Sequence, residues 1–206
     1  MVIRYVPPTF DPYSFLRSFF YEAMELAPVA LVAHLMARSG EGGMRRIGFD
    51  RTRLPRDIGL GVGLVAAAET AGVGLAIVAH IFDLPFSQIV SINPDAHASA
   101  IFLGLWTSAV AAVSEETIVN GYMLTRLDDL GWRPGRALIA STLLRASYHL
   151  YQGISGFIVN IVGGLVAGRI FQKTRRVMPL VVVHFLIDVV AVAVAIFWAD
   201  RPAWLR

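Results

Sequence analysis

Residues 98–124 read ASAIFLGLWTSAVAAVSEETIVNGYML. This apolar run is longer than the roughly 20 residues a helix needs to cross a bilayer core, yet it carries two adjacent carboxylates, Glu115 and Glu116. An ionisable side chain at such depth is costly and usually has a partner or a function. The same anomaly recurs downstream, at His149 in the run 136–150 and at His184 and Asp188 in the run 179–198. Carboxylates and imidazoles together can activate water, so the leading reading is hydrolysis within a membrane.

Composition agrees. The 206-residue chain is 56% hydrophobic and only 16% charged, with a mean hydropathy of +0.61. A soluble domain carries about 25% charged residues. The net charge of +3 could suggest nucleic acid, but most arginines lie between apolar runs, as in the cytoplasmic loops of membrane proteins. No aromatic-basic recognition surface accompanies them, and nucleic acid is excluded as a partner. The absence of cysteine rules out disulfides and thiolate metal sites. The N-terminal MVIRYVPPTFDPY does not resemble a signal peptide.

The runs 13–36, 58–82, 98–124, 136–150, 154–171 and 179–198 predict an all-α, polytopic transmembrane bundle of about six spans, read as one membrane-integral domain over 1–206. Pro179 suits the first turn of the last helix. Arg38, Arg45, Arg46, Arg51, Arg53 and Arg56 fill the first connection. Arg126, Arg133 and Arg136 surround the third, and Lys173, Arg175 and Arg176 fill the fifth, whereas residues 83–97 have no Lys or Arg. This alternation places both termini outside; Arg201 and Arg206 fall on the wrong side. Gly164 and Gly168 form a small-xxx-small pair suited to close helix packing. Homo-oligomerisation stays open.

From the expected helix ends, Glu115 lies about 15 Å deep, His149 about 20 Å, His184 about 10 Å and Asp188 one turn further, so all can share one layer. Adjacent Glu115 and Glu116 point about 100° apart on an α-helix; one can activate water while the other anchors the helix. His184 and Asp188, at i and i+4, share a face and can hold water or stabilise an oxyanion. Glu115, His149 and His184 are also a possible ligand set for a divalent metal such as Zn, with a position left for water. Metal-free activation fits the same residues, and a polar network that only fixes packing is the bland alternative.

Three segments carry a family resemblance. EETIVNGY at 115–122, SYHLYQG at 147–153 and HFLID at 184–188 resemble the three motifs of the intramembrane CAAX-protease and bacteriocin-processing (CPBP) family, in order and spacing, over about 98–190. The resemblance implies a helical membrane bundle enclosing a catalytic cavity. Glu115 matches the water-activating glutamate, Glu116 its structural neighbour, His149 the second-motif histidine, and His184 with Asp188 the third-motif pair, where the family commonly has His and Asn. It implies a CAAX-protease-like intramembrane endopeptidase, acting on a membrane-associated protein or peptide among membrane lipids, in the plasma membrane of a bacterium. No residue identifies a prenyl pocket.

Two positions depart from the pattern. Asn120 stands where the first motif usually ends in Arg, and Arg145 stands where the second usually has an aromatic residue. The pair suggests a swap, Arg145 supplying from the neighbouring helix the guanidinium that neutralises Glu116; without one, a buried carboxylate tends to protonate. The alternative places Arg145 against a substrate carboxylate or water. Against the enzyme stand a catalytically inactive interaction or immunity protein and a transporter using Glu69. Glu69 is read first as cavity lining, Asn160 as a bond to another helix, Tyr148, Tyr151 and Gln152 as substrate contacts or interface anchors, and His80, Trp106, Trp132 and Trp198 as packing or interface residues.

Overall fold

Asp11 starts the described chain: its carboxylate accepts from the amides of Tyr13 and Ser14, both at 3.1 Å, and Pro12 occupies the first helical turn, where its missing N–H costs nothing. The computed structural model describes residues 11–40, 42–82 and 98–199. Its helices are α1 (Pro12–Met24), α2 (Ala27–Arg38), α3 (Leu54–Ile81), α4 (Ala98–Glu115), α5 (Leu124–Asp129), α6 (Pro134–Tyr148), α7 (Gly153–Thr174) and α8 (Met178–Ala199). Short 3-10 turns cover Gly43–Ile47 and Leu150–Gln152, and a π-helical stretch, Glu116–Met123, joins α4 to α5 without a break.

The all-α membrane reading holds, but among the described residues three helical stretches are long and apolar enough to cross a bilayer, rather than six: Pro12–Arg38, Leu54–Gly74 and Ile101–Asp129. The remaining helices differ in length and exposure. At 15 residues, α6 spans about 22 Å, short of a hydrocarbon core of about 30 Å. α7 is 22 residues long and carries Asn160, Arg169 and Lys173 beside an exposed apolar face of Ile154, Ile158, Val162 and Val166. α8 runs 22 residues, Met178–Ala199, and its apolar stretch is described over Met178–Val194. The first expected span is in fact a pair of helices, jointed at Glu25 and Leu26. The Arg-free connection 83–97, Arg201 and Arg206 lie outside the described residues, as do the side chains of His80 and Trp198.

Close approach sets the packing. A Cβ on Gly61 would lie 2.6 Å from Val182 Cγ1, so α3 and α8 touch where a larger residue could not fit. Gly164 lies against Thr142 of α6, and Gly168 against Leu138, Leu124 and Asn120. Across α1 and α4, Phe19 stacks on Trp106 at 4.7 Å, whose indole N–H donates to the Phe19 carbonyl. The apolar core gathers at one end: Val32 and Met36 of α2, Ile47 of the 3-10 turn, Leu124, Ala137, Phe171, Val177 and Leu180.

Arg176 ties that end together. Its guanidinium donates to both oxygens of buried Asp57, at 2.6–3.0 Å, and to Asp50 Oδ1 at 3.1 Å, while the Val177 amide donates to the Ile47 carbonyl. Gly48, at φ 64°, lets the loop pass directly over Arg176. Asp50 is held from 3.8 down to about 2, first by the Thr52 hydroxyl and then by Arg176.

Arg176→Gln leaves Asp57 buried and unpaired and is expected to destabilise the fold by about 3 kcal/mol or more. Arg175→Gln breaks only the half-exposed pair with Asp128 and is expected to cost at most about 1 kcal/mol. A carboxyl depressed by folding contributes stability that is present above its unfolded pKa and lost as pH falls through its folded value. Melting temperature in detergent should therefore fall between about pH 4 and pH 2. This fall should shrink without vanishing in Arg176→Gln, because the Thr52 hydroxyl remains.

Candidate active site

The π-helical stretch begins at the paired glutamates. Its wider turn changes where successive side chains point and is a common feature of functional sites. Glu116 is buried at 2% exposure, while the Glu115 side chain keeps 21%. The two carboxylates therefore meet different surroundings.

Glu116 is fully engaged. Arg145 Nη1 donates to Oε1 at 2.6 Å, His184 Nδ1 lies 2.9 Å from the same oxygen, and Asn120 Nδ2 donates to Oε2 at 2.6 Å. Arg145 thus stands against Glu116, with Asn120, one helical turn on, holding the other oxygen. The guanidinium also reaches Glu115, Nη2 to Oε2, at 3.4 Å.

Arg145 and Tyr148 are three residues apart on α6 and share a face. The Tyr148 hydroxyl donates to Glu115 Oε2 at 3.2 Å, so Oε2 receives both groups while Oε1 points toward His149 Nε2, 3.7 Å away. His149 caps the C-terminus of α6. Its Nδ1 is 2.9 Å from the Arg145 carbonyl. That oxygen can only accept, so Nδ1 carries a proton; in the neutral ring Nε2 then presents its lone pair to Glu115. The chain then turns sharply at Gly153, φ 80°.

His184 Nε2 lies on the far side of its ring, 3.8 Å from Asp188 Oδ2. The residues expected from sequence, Glu115, Glu116, Asn120, Arg145, His149, His184 and Asp188, are thus linked contact by contact. Glu69 does not join them; it is on α3, which packs chiefly on α8. Asn160 donates to Gln152 Oε1 and the Gly156 carbonyl, so its bonds stay within α7 and the turn before it instead of reaching another helix. Sequence reasoning missed Tyr148 as a partner of Glu115, although its i,i+3 spacing from Arg145 was the available signal. Nothing in the local sequence announced the π-helical stretch.

Glu115, His149 and His184 have the donor chemistry of a zinc site. As arranged they do not converge on one point. His184 faces Glu116 and Asp188, and a guanidinium already lies against Glu115. No group of three or more His, Cys, Asp or Glu is gathered as metal ligands among the described residues.

An all-helical membrane protein with carboxylates and imidazoles clustered on neighbouring helices has the layout of an intramembrane peptidase. Residues 97–190 match the family model described as type II CAAX prenyl endopeptidase Rce1-like, and the chain therefore carries a domain of the CAAX-protease (CPBP) family. No curated protein and no solved structure gives a significant match.

Removing Arg145 strands Glu116. Arg145→Phe is expected to destabilise by about 3–5 kcal/mol, read as melting temperature in detergent. Adding Asn120→Arg to that variant should recover most of the loss, whereas Asn120→Arg alone, with Arg145 present, should destabilise by crowding two guanidiniums. Full stability of Arg145→Phe would show that Glu116 does not depend on this pair.

Proposed function

We propose that the chain is an intramembrane endopeptidase that hydrolyses a peptide bond in a membrane-associated protein or peptide, with Glu115 as general base and His149 as its partner in placing water. The supporting observation is the 3.7 Å separation of Glu115 Oε1 and His149 Nε2. Both atoms are acceptors when His149 is neutral, so they have no hydrogen bond to make with each other. One water at about 2.8 Å from each can donate a proton to both, which leaves its lone pairs directed away from them, toward a substrate carbonyl.

In the first step Glu115 takes a proton from that water, the water oxygen bonds to the carbonyl carbon, and the carbonyl π pair moves onto its oxygen. His184, whose ring is held from Nδ1 by Glu116, supports the oxyanion from Nε2 when that nitrogen carries a proton, with Asp188 Oδ2 3.8 Å from the same nitrogen. In the second step the pair returns, the C–N bond breaks, and Glu115 passes its proton to the leaving amine. Glu116 and Arg145 touch no reacting atom; they fix α4 and α6 relative to each other and so hold Glu115 and His149 at their separation. Tyr148 and Arg145 on Oε2 keep Oε1 as the basic oxygen.

The test is cleavage of a library of membrane-tethered peptides by the purified chain in lipid. Glu115→Gln should lower turnover by at least about a hundredfold, and His149→Asn by a similar factor, both at unchanged folded abundance. Tyr148→Phe should lower kcat about tenfold with KM unchanged. Cleavage by wild type that survives Glu115→Gln would overturn the assignment. Retained cellular function in that variant would favour an interaction or immunity role. Activity lost on chelation and restored by Zn²⁺ would instead make Glu115, His149 and His184 metal ligands.

A further inference from the structure

A second polar feature lies away from the glutamates, where α2 ends and α3 and α8 begin. A cavity of about 840 Å³ is lined there by the apolar Met44, Phe49 and Met178 and by the charged Arg45, Asp50 and Arg51. Two candidate membrane spans, Pro12–Arg38 and Leu54–Gly74, flank the loop that builds it; with both spans in a bilayer, the loop would lie at their ends, where lipid headgroups are.

The charges are unequally committed. Asp50 is held by Arg176 and Thr52, and Arg46 is spent on Asp129. Arg45 and Arg51 are exposed and make no ion pair among the described residues. Two free guanidiniums beside three flexible apolar side chains form an amphipathic receptor: planar forks that suit phosphate oxygens, next to surface that water solvates poorly. A soluble phosphate uses only the first part. A phospholipid uses both, and basic pockets between helices on the cytoplasmic side are where anionic headgroups bind.

We propose that this cavity binds an anionic phospholipid, with its phosphate held by Arg45 and Arg51 and its glycerol and first acyl methylenes against Met44, Phe49 and Met178. The proposal is independent of the peptidase reading, since none of these residues belongs to the glutamate–histidine cluster. Because the same loop contributes Ile47 to the core and Asp50 to Arg176, a lipid seated there stabilises the end of the bundle from which α3 and α8 rise.

The experiment titrates the purified full chain, in a zwitterionic detergent, with dihexanoyl-phosphatidylglycerol, dihexanoyl-phosphatidylcholine and glycerol phosphate. Binding is read by native mass spectrometry and as a rise in melting temperature. The expected result is binding of phosphatidylglycerol well above phosphatidylcholine, little binding of glycerol phosphate, and about 30-fold weaker phosphatidylglycerol binding in the Arg45→Gln, Arg51→Gln double variant, about fivefold per arginine. Arg53→Gln with Arg56→Gln removes the same charge from exposed positions nearby and should leave binding within about twofold of wild type. Equal losses in the two double variants would reduce the effect to general surface charge. Equal binding of the two lipids, glycerol phosphate binding as tight as the lipid, or no binding at all would also overturn the proposal.

Discussion

The contact between Arg145 and Glu116 is the constraint on which the site depends. A carboxylate at 2% exposure in a membrane protein loses nearly all of its hydration, and an isolated charge in such surroundings neutralises or unfolds its host. Glu116 is kept as an acceptor by a guanidinium at 2.6 Å, an amide at 2.6 Å and an imidazole at 2.9 Å. These come from α6, from the π-helical stretch itself and from α8. A single buried carboxylate therefore joins three elements, and none of them can shift without exposing a charge to an apolar interior. The Coulomb attraction need not exceed the desolvation cost to have this effect. Buried pairs are weak sources of net stability but strong penalties against breaking.

That anchoring explains how two neighbouring glutamates can differ so much. Glu115 lies one residue away, on the edge of the same π-helical turn, with 21% of its side chain exposed. The guanidinium that fixes Glu116 also touches Glu115 at the longer distance of 3.4 Å, and Tyr148 adds a second contact to the same oxygen. One oxygen is thereby committed and the other left facing an imidazole acceptor. The tautomer of that imidazole is set by a main-chain carbonyl at the end of α6, where the last carbonyls of a helix lack helical donors. The contacts on Glu115 and the orientation of the His149 ring thus both depend on the C-terminal turn of α6.

Much of this was legible in the sequence, for a physical reason. Ionisable groups are so disfavoured in apolar runs that Glu115, Glu116, His149, His184 and Asp188 stand out without any structure, and helical rise alone places them at similar depth. That Arg145 stands against Glu116, as an exchange of Arg between positions 120 and 145 would require, was legible because charge must balance wherever it is buried. What was hidden depends on geometry that no residue pattern encodes. The π-helical stretch changes the direction of side chains after Glu116. The break between α1 and α2 at Glu25 and Leu26 did have a local signal, Pro28 in the first turn of α2, but the run reads as one span. The count of spans was less legible: α6 has an apolar sequence but only 15 residues, and an apolar run read from sequence does not give the length of the helix it will form.

The exchange also has a steric side. A Cβ on Gly168 would lie 3.3 Å from Asn120 Oδ1 and 2.5 Å from Leu138, so α7 passes close to position 120, where the π-helical stretch faces it. The short Asn amide reaches Glu116 Oε2 from there without displacing α7. A guanidinium, with two more methylenes of stem to stow, has its space on α6 instead, where Arg145 touches both carboxylates. Charge neutralisation by Arg145 and tight seating of α7 on Gly164 and Gly168 are then two parts of one packing solution. The small residue at 120 is what allows a glycine-lined helix to close over the buried carboxylate, and the arginine at 145 is what makes that small residue electrostatically tolerable.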